Sequence, residues 1–216
     1  MAVPFGRLRL DVGRLMMVSA FAVVVVADAY SLEHGGHSGV AGVLRSVGTV
    51  LALGFYALAI CCYLRRGRAI ATSDSVTAHA AAIIATWLPF ALPLLHGAPS
   101  GKGRQALADV LLTCGMVWAV WSLRYLDRNV SVLAQARGVA DQGPYRWVRH
   151  PLYLGEIVSA LGLALAANSY PAIGLWLALC GLQVYRALRE EQVLLRALPA
   201  YGSYRSRTAA LLPGVF

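Results

Sequence analysis

Apolar residues run in six blocks, near 15–30, 43–64, 76–96, 106–126 and 152–167, and from Pro171 to about Tyr185. Short polar stretches separate them. A helix needs roughly 20 apolar residues to cross a bilayer, so the blocks predict about six (five to six) transmembrane helices, the fifth being short. The expected fold class is an all-α integral membrane protein. Brief connections predict that consecutive spans are antiparallel neighbours. Pro89 and Pro93 inside the third block predict a kink, because each proline removes a helical N–H and crowds the preceding turn. Asn168-Ser169-Tyr170-Pro171 reads as a tight turn, with Ser169 or Asn168 capping a helix and Pro171 in its first turn.

Composition agrees with this pattern. Hydrophobic residues make up 58% of the 216 and charged residues only 13%, about half the share usual in soluble domains. The net charge is +9, carried almost wholly by arginine, with Lys102 the single lysine. That bias suggests a high-GC bacterial genome. No nucleic-acid-binding module accompanies the arginines, so nucleic acid is not an expected partner. They flank apolar blocks, where they mark cytoplasmic loops and contacts with anionic lipid. Arg7, Arg9 and Arg14 precede span one, and Arg65, Arg66 and Arg68 follow span two. Arg124, Arg128, Arg137, Arg146 and Arg149 surround the loop between spans four and five. Arg186, Arg189, Arg196, Arg205 and Arg207 lie at the end of the last block and beyond it. Six spans put all of these on one side and leave only Arg45, Lys102 and Arg104 elsewhere. The positive-inside rule makes that side cytoplasmic, with both termini there, in a bacterial inner membrane. The first block resembles a signal peptide, but no small-residue cleavage site precedes Ser31–Gly39, so an uncleaved span is expected. The chain reads as one domain, with spans one to three over 1–105 and a chemical core over 106–216.

Cys61, Cys62, Cys114 and Cys180 lie in apolar blocks without paired spacing, as inert thiols do. His34-Gly-Gly-His37 is a solvated loop rather than a metal site, and no metal is expected. Asp28 reads as interfacial. Trp118, Trp121 and Tyr125 read as packing or interfacial-belt aromatics.

Residues 143–156, Gly-Pro-Tyr-Arg-Trp-Val-Arg-His-Pro-Leu-Tyr-Leu-Gly-Glu, break the apolar monotony. Pro151 disfavours helix at His150 and suits a first helical position, so span five starts here. Arg186 and Glu190 are four apart and share a helix face. They are either a plain salt bridge at a helix end or half of a site completed by His150 and Tyr153 at the same depth. Glu156 lies a turn into span five, where charge is costly. It either pairs with Arg146 or Arg149 or lines a substrate entrance.

The stretch Gly143–Gly155 resembles the signature of the isoprenylcysteine carboxyl methyltransferase family, part of a wider group of membrane methyltransferases that includes phospholipid N-methyltransferases. Arg186, Glu190, Glu191, Leu194, Tyr201, Tyr204, Arg207 and Pro213 resemble that family's Arg-x-x-x-Glu-Glu and Tyr-x-x-Tyr-x-x-x-x-x-x-x-x-Pro pattern. Asn129-Val-Ser-Val-Leu and Arg137-Gly resemble its approach to the motif. The resemblance covers about residues 120–213. It implies binding of S-adenosylmethionine (product S-adenosylhomocysteine) in a pocket formed by the last two spans and the C-terminal segment. Val139, Tyr145, His150, Pro151, Leu152, Tyr153, Gly155 and Glu190 would bind the cofactor, Gly155 by close backbone approach. Arg186 and Glu190 would be catalytic, Arg186 and Glu156 would touch substrate, and Tyr201, Tyr204 and Arg207 would form a lid. The implied acceptor is the carboxylate of an isoprenylcysteine-like lipid. Phospholipid N-methylation is the enzymatic alternative, in which Glu156 or Glu191 would take a proton. A non-enzymatic transporter or assembly factor is the alternative of another class, against which the intact Tyr145, His150, Tyr153, Arg186 and Glu190 argue.

Overall fold

The computed structural model describes residues 12–34, 39–95 and 97–211. Arg7, Arg9, His37 and Pro213 fall outside them. The helices are α1 (Val12–His34), α2 (Gly39–Arg65), α3 (Val76–Trp87), α4 (Lys102–Leu126), α5 (Pro151–Ala167), α6 (Tyr170–Ala197) and the short α7 (Tyr201–Arg205). By length and composition four stretches can cross a membrane: Ser46–Arg65, Val76–Leu94, Lys102–Asn129 and Tyr170–Ala197. The apolar parts of α1 and α5, Met17–Tyr30 and Pro151–Ala167, are shorter. The protein is an integral membrane protein built on an all-helical bundle. One addition was not expected from sequence: a two-residue antiparallel ribbon pairing β1 (Ala71–Thr72) with β2 (Gln135–Ala136).

The prolines do more than kink α3. The α-helix ends at Trp87 and continues as a 3₁₀ segment, Leu88–Leu94. Pro89 and Pro93 have no N–H to donate, so the regular i→i−4 ladder cannot run through them. Neighbour relations also differ from the expectation of consecutive pairing. α1 packs on α2, α2 on α4, α4 on α5 and α5 on α6, while the main helix partner of α3 is α6. Ala78, Ala81, Ala82 and Ala85 form the buried face of α3, which lets its backbone come close to a neighbour. The far end is tied down as well: Ser169 Oγ donates to Leu95 O (2.6 Å) and Gly97 N to Ala167 O (2.8 Å). Ser169 caps α6 by accepting from Ala172 N, and Asn168 ends α5 in the left-handed region.

α4 and α5 form the most intimate pair. A Cβ on Gly115 would lie 2.4 Å from Ser159 N, one on Gly155 2.9 Å from Ala119 N, and one on Gly162 2.6 Å from Ala108 O. The backbones therefore touch through glycine. This holds the first turn of α5, and the residues on it, in a fixed relation to α4.

Candidate active site

At the start of α5 the chain folds into a corner. A single 3₁₀ turn, Gly143–Arg146, enters through Gly143 at φ +58° and buries Pro144 and Tyr145. Arg149 N donates to Ala209 O (2.8 Å) and His150 N to Ala210 O (3.0 Å), so the C-terminal tail lies alongside the motif. α5 then begins at Pro151, as the proline placement required. Motif, end of α6 and tail thus meet.

Glu191, buried, is the tie among them. Its Oε1 accepts from Arg149 Nε (2.7 Å) and lies 3.2 Å from His150 Nε2, and its Oε2 lies 3.0 Å from Arg205 Nε. Arg149 Nη1 also donates to the carbonyls of Arg205 and Thr208. Glu191→Ala would leave Arg149 without its counter-charge, at an expected cost of about 3 kcal/mol. The expected result is a lower thermal midpoint and faster proteolysis at 199–207. An unchanged midpoint and cleavage rate would show that the tail is held by other contacts.

Beside this tie lies a polar cavity. Val139, Tyr145, His150, Leu152, Tyr153, Glu190, Tyr201 and Tyr204 line it, together with Gln135, Arg137, Arg149 and Leu194. Tyr153 Oη donates to Glu190 Oε1 (2.6 Å), and His150 Nδ1 lies 3.8 Å from Glu190 Oε2. The His150 and Tyr153 rings stack at 5.4 Å, 4° from parallel. Tyr204 Oη donates to Tyr145 O (2.7 Å), closing α7 over the corner. Burial pushes the Tyr145 phenol well up, with Glu190 adding to the effect. Burial likewise raises Tyr201 and Tyr204. All three stay neutral hydroxyls at physiological pH.

Two residues expected to line this cavity do not. Pro151 is buried as the first residue of α5, and Gly155 makes a close backbone approach to α4. Arg207, expected in a lid, is exposed and lies outside the cavity wall.

A second, apolar cavity of about 320 Å³ opens deeper in the bundle. α1, α2, the 3₁₀ continuation of α3, α4 and α5 supply its walls through residues such as Phe21, Phe55, Phe90, Met116 and Leu163. Arg186 and Glu156 sit at this second cavity. Ser131, Leu152 and Tyr153 border both cavities, so the two adjoin there.

Arg186 and Glu190 form no direct ion pair among the described residues. Arg186, 5% exposed, donates through Nη1 to Gln183 Oε1 (3.0 Å) and through Nη2 to Val132 O (3.2 Å), with its guanidinium 4.6 Å over the Tyr153 ring. Its Nε is buried without a partner. Glu156 pairs with neither Arg146 nor Arg149; its Oε2 accepts from Gln183 Nε2 (2.6 Å). Arg149 is already held by Glu191. Sequence reasoning missed Gln183, whose signal was a lone amide in an apolar helix one turn before Arg186. Asp28, read as interfacial, borders the apolar cavity.

A bundle of apolar helices with a polar cavity adjoining an apolar one is also the kind of fold found in an intramembrane methyltransferase of known structure. Four likenesses to known proteins accompany that geometry. Residues 104–200 match the family model for phospholipid methyltransferases. Across 93% of this chain and 76% of the other, the fold resembles the eukaryotic intramembrane Ras methyltransferase ICMT, isoprenylcysteine carboxyl methyltransferase, with a TM-score of 0.56 at 16% identity. The cobalt-zinc-cadmium resistance protein CzcN of Cupriavidus metallidurans is 28% identical over 156 residues, 68% of this chain and 69% of its own length. The nickel-cobalt-cadmium resistance protein NccN of Alcaligenes xylosoxydans xylosoxydans is 30% identical over 116 residues, 50% and 52% of the two lengths.

Proposed function

We propose that this protein transfers the methyl group of S-adenosylmethionine to the polar end of a lipophilic acceptor that enters from the bilayer. The observation that carries this reading is the shared wall at Ser131, Leu152 and Tyr153, where the polar cavity meets the apolar one. The chain would form one six-span domain in a bacterial inner membrane. The charge distribution would turn its termini and polar cavity to the cytoplasm, from which a water-soluble cofactor arrives.

The residues around the polar cavity suit a cationic nucleoside. Glu190 supplies a carboxylate for hydroxyl or ammonium groups, and the stacked His150 and Tyr153 supply ring faces. When bound, the cofactor supplies an electrophilic methyl on sulfur. What the protein does is align an acceptor behind that methyl and keep water away, which is where most of the rate gain in such a displacement originates. Tyr153 stands at the junction, and the tyrosines of α7 cover the polar side.

Two acceptors fit the reading. The carboxylate of an isoprenylcysteine-like lipid would use Arg186 as a two-pronged anchor. The amine of a phosphatidylethanolamine-type headgroup would use a carboxylate instead. One observation favours the amine: the charged residues bordering the apolar cavity are two acids, Asp28 and Glu156, and one base, Arg186.

Titration calorimetry with S-adenosylhomocysteine tests the cofactor assignment. Wild-type protein is expected to bind, and His150→Ala to weaken binding about tenfold by removing the ring beside Tyr153. Absence of binding by the wild type overturns the enzyme reading. Labelled cofactor offered with a prenylcysteine analogue and with phosphatidylethanolamine then separates the acceptors. Base-labile label means an ester, base-stable label an amine.

A further inference from the structure

We propose that Glu156 is the proton acceptor of the reaction and that the acceptor it serves is a lipid amine entering as its ammonium. This rests on the methyl-transfer reading above and adds a residue role and a substrate charge to it. Glu156 follows Tyr153 by one helical turn, so the two lie on the same side of α5. Both border the apolar cavity. Glu156 is therefore just beyond the junction of the two cavities, on the side from which the acceptor comes.

Its bonding leaves it free to act. Glu156 Oε2 accepts one hydrogen bond, from Gln183 Nε2, and no ion pair to this carboxylate exists among the described residues. Gln183 also receives the Arg186 Nη1–H on its Oε1. The amide thus stands between the acid and the guanidinium. A direct pair with Arg186 would stabilise the carboxylate as an anion and weaken it as a base. The interposed Gln183 holds Glu156 in place without a direct charge partner. The charged residues bordering the apolar cavity are Asp28, Glu156 and Arg186, two acids to one base. Counted together these three formal charges are net negative, which suits an ammonium.

The step balances. An N–H bond of the ammonium breaks, its electron pair stays on nitrogen, and the proton forms an O–H bond on Glu156. The nitrogen lone pair then bonds to the methyl carbon as the methyl–sulfur bond breaks, its electrons remaining on sulfur as a neutral thioether. The product is an N-methylammonium. Glu156 returns its proton to water when the product leaves.

The test uses full-length protein in lipid nanodiscs, with labelled S-adenosylmethionine and phosphatidylethanolamine. Glu156→Gln is expected to lower kcat at least about 100-fold while S-adenosylhomocysteine binds as in the wild type. Equilibrium binding of the aminolipid to the S-adenosylhomocysteine complex, read without turnover, is expected to weaken about tenfold. An acceptor with a trifluoroethylamine headgroup, neutral at the assay pH, needs no proton acceptor, and with it the deficit of Glu156→Gln is expected to shrink to within about threefold. Glu156→Asp, which keeps a carboxylate, is expected to recover part of the rate. An equal deficit with both headgroups, or full activity in Glu156→Gln, overturns the proton-acceptor role. Base-labile label on a prenylcysteine analogue, with none on the aminolipid, overturns the amine acceptor. Failure of the wild type to bind S-adenosylhomocysteine sinks the underlying function instead, so the failures are distinguishable.

Discussion

Glu190→Ala is expected to weaken S-adenosylhomocysteine binding at least 100-fold in calorimetry and to remove methylation of any acceptor. Glu190 is the carboxylate that lines the polar cavity. Its Oε1 takes the Tyr153 hydroxyl at 2.6 Å, and its Oε2 lies 3.8 Å from His150 Nδ1. Two losses follow from truncation. The ligand loses a charge-assisted hydrogen bond, which contributes about 1.5–3 kcal/mol. The Tyr153 hydroxyl loses its acceptor, and an unsatisfied buried hydroxyl costs about 1–3 kcal/mol. Glu190→Gln keeps an acceptor for Tyr153 and removes only the charge, so it is expected to bind about tenfold more tightly than Glu190→Ala. Equal binding by wild type and Glu190→Ala would remove Glu190 from the cofactor site.

Gly115→Val is expected to abolish the native bundle, or to lower its thermal midpoint in detergent more than any surface change. A Cβ at Gly115 would meet Ser159 N at 2.4 Å, Gly155 O at 2.8 Å and Ser159 Cα at 2.8 Å. All three are backbone atoms, so no rotamer change relieves the clash, and the two helices must part. Overpacking a core costs about 1–3 kcal/mol when side chains can give way; here the expected loss exceeds about 4 kcal/mol, the range reserved for severe lesions. The parting would also drag the first turn of α5, with His150 and Tyr153, off the end of α6. Gly54→Val is the control, since nothing lies within 4 Å of the position its Cβ would take. Equal midpoints for the two variants would show that α4 and α5 are not held by this contact.

Much of the fold was legible because membrane helices declare themselves locally. Each apolar block became a helix close to its expected place, since a backbone in hydrocarbon has to satisfy its own hydrogen bonds within the segment. Pro151 and Ser169-Tyr170-Pro171 marked helix starts by their own chemistry, which needs no knowledge of neighbours. Lateral order was not legible. Short connections suggested consecutive pairing, yet α3 lies on α6, because contact between apolar helices depends on the fit of small faces such as Ala78, Ala82 and Ala85, not on chain order. Likewise Gly155, read as making room for a ligand, makes room for Ala119 on α4. A glycine in sequence says that something comes close without saying what.

The candidate site divides along the same line. The residue types came from the chain alone: Arg186 and Glu190 on one helix face, His150 and Tyr153 at a proline-started helix, and an acid in Glu156 where charge is costly. The partnerships came from tertiary structure. The expected choice for Arg186 and Glu190 was between a salt bridge and a site; the two are not paired with each other among the described residues, and Tyr153 donates to the Glu190 carboxylate and lies under the Arg186 guanidinium. Glu156 found Gln183 in place of an arginine, and Arg149 found Glu191, 42 positions away. The sequence by itself determined which segments are helices and which residues can carry charge or protons, because those are properties of short stretches and single side chains. Only the tertiary structure decided that a polar and an apolar cavity share the wall at Tyr153, because a cavity is bounded by residues from distant segments whose meeting depends on how whole helix faces pack.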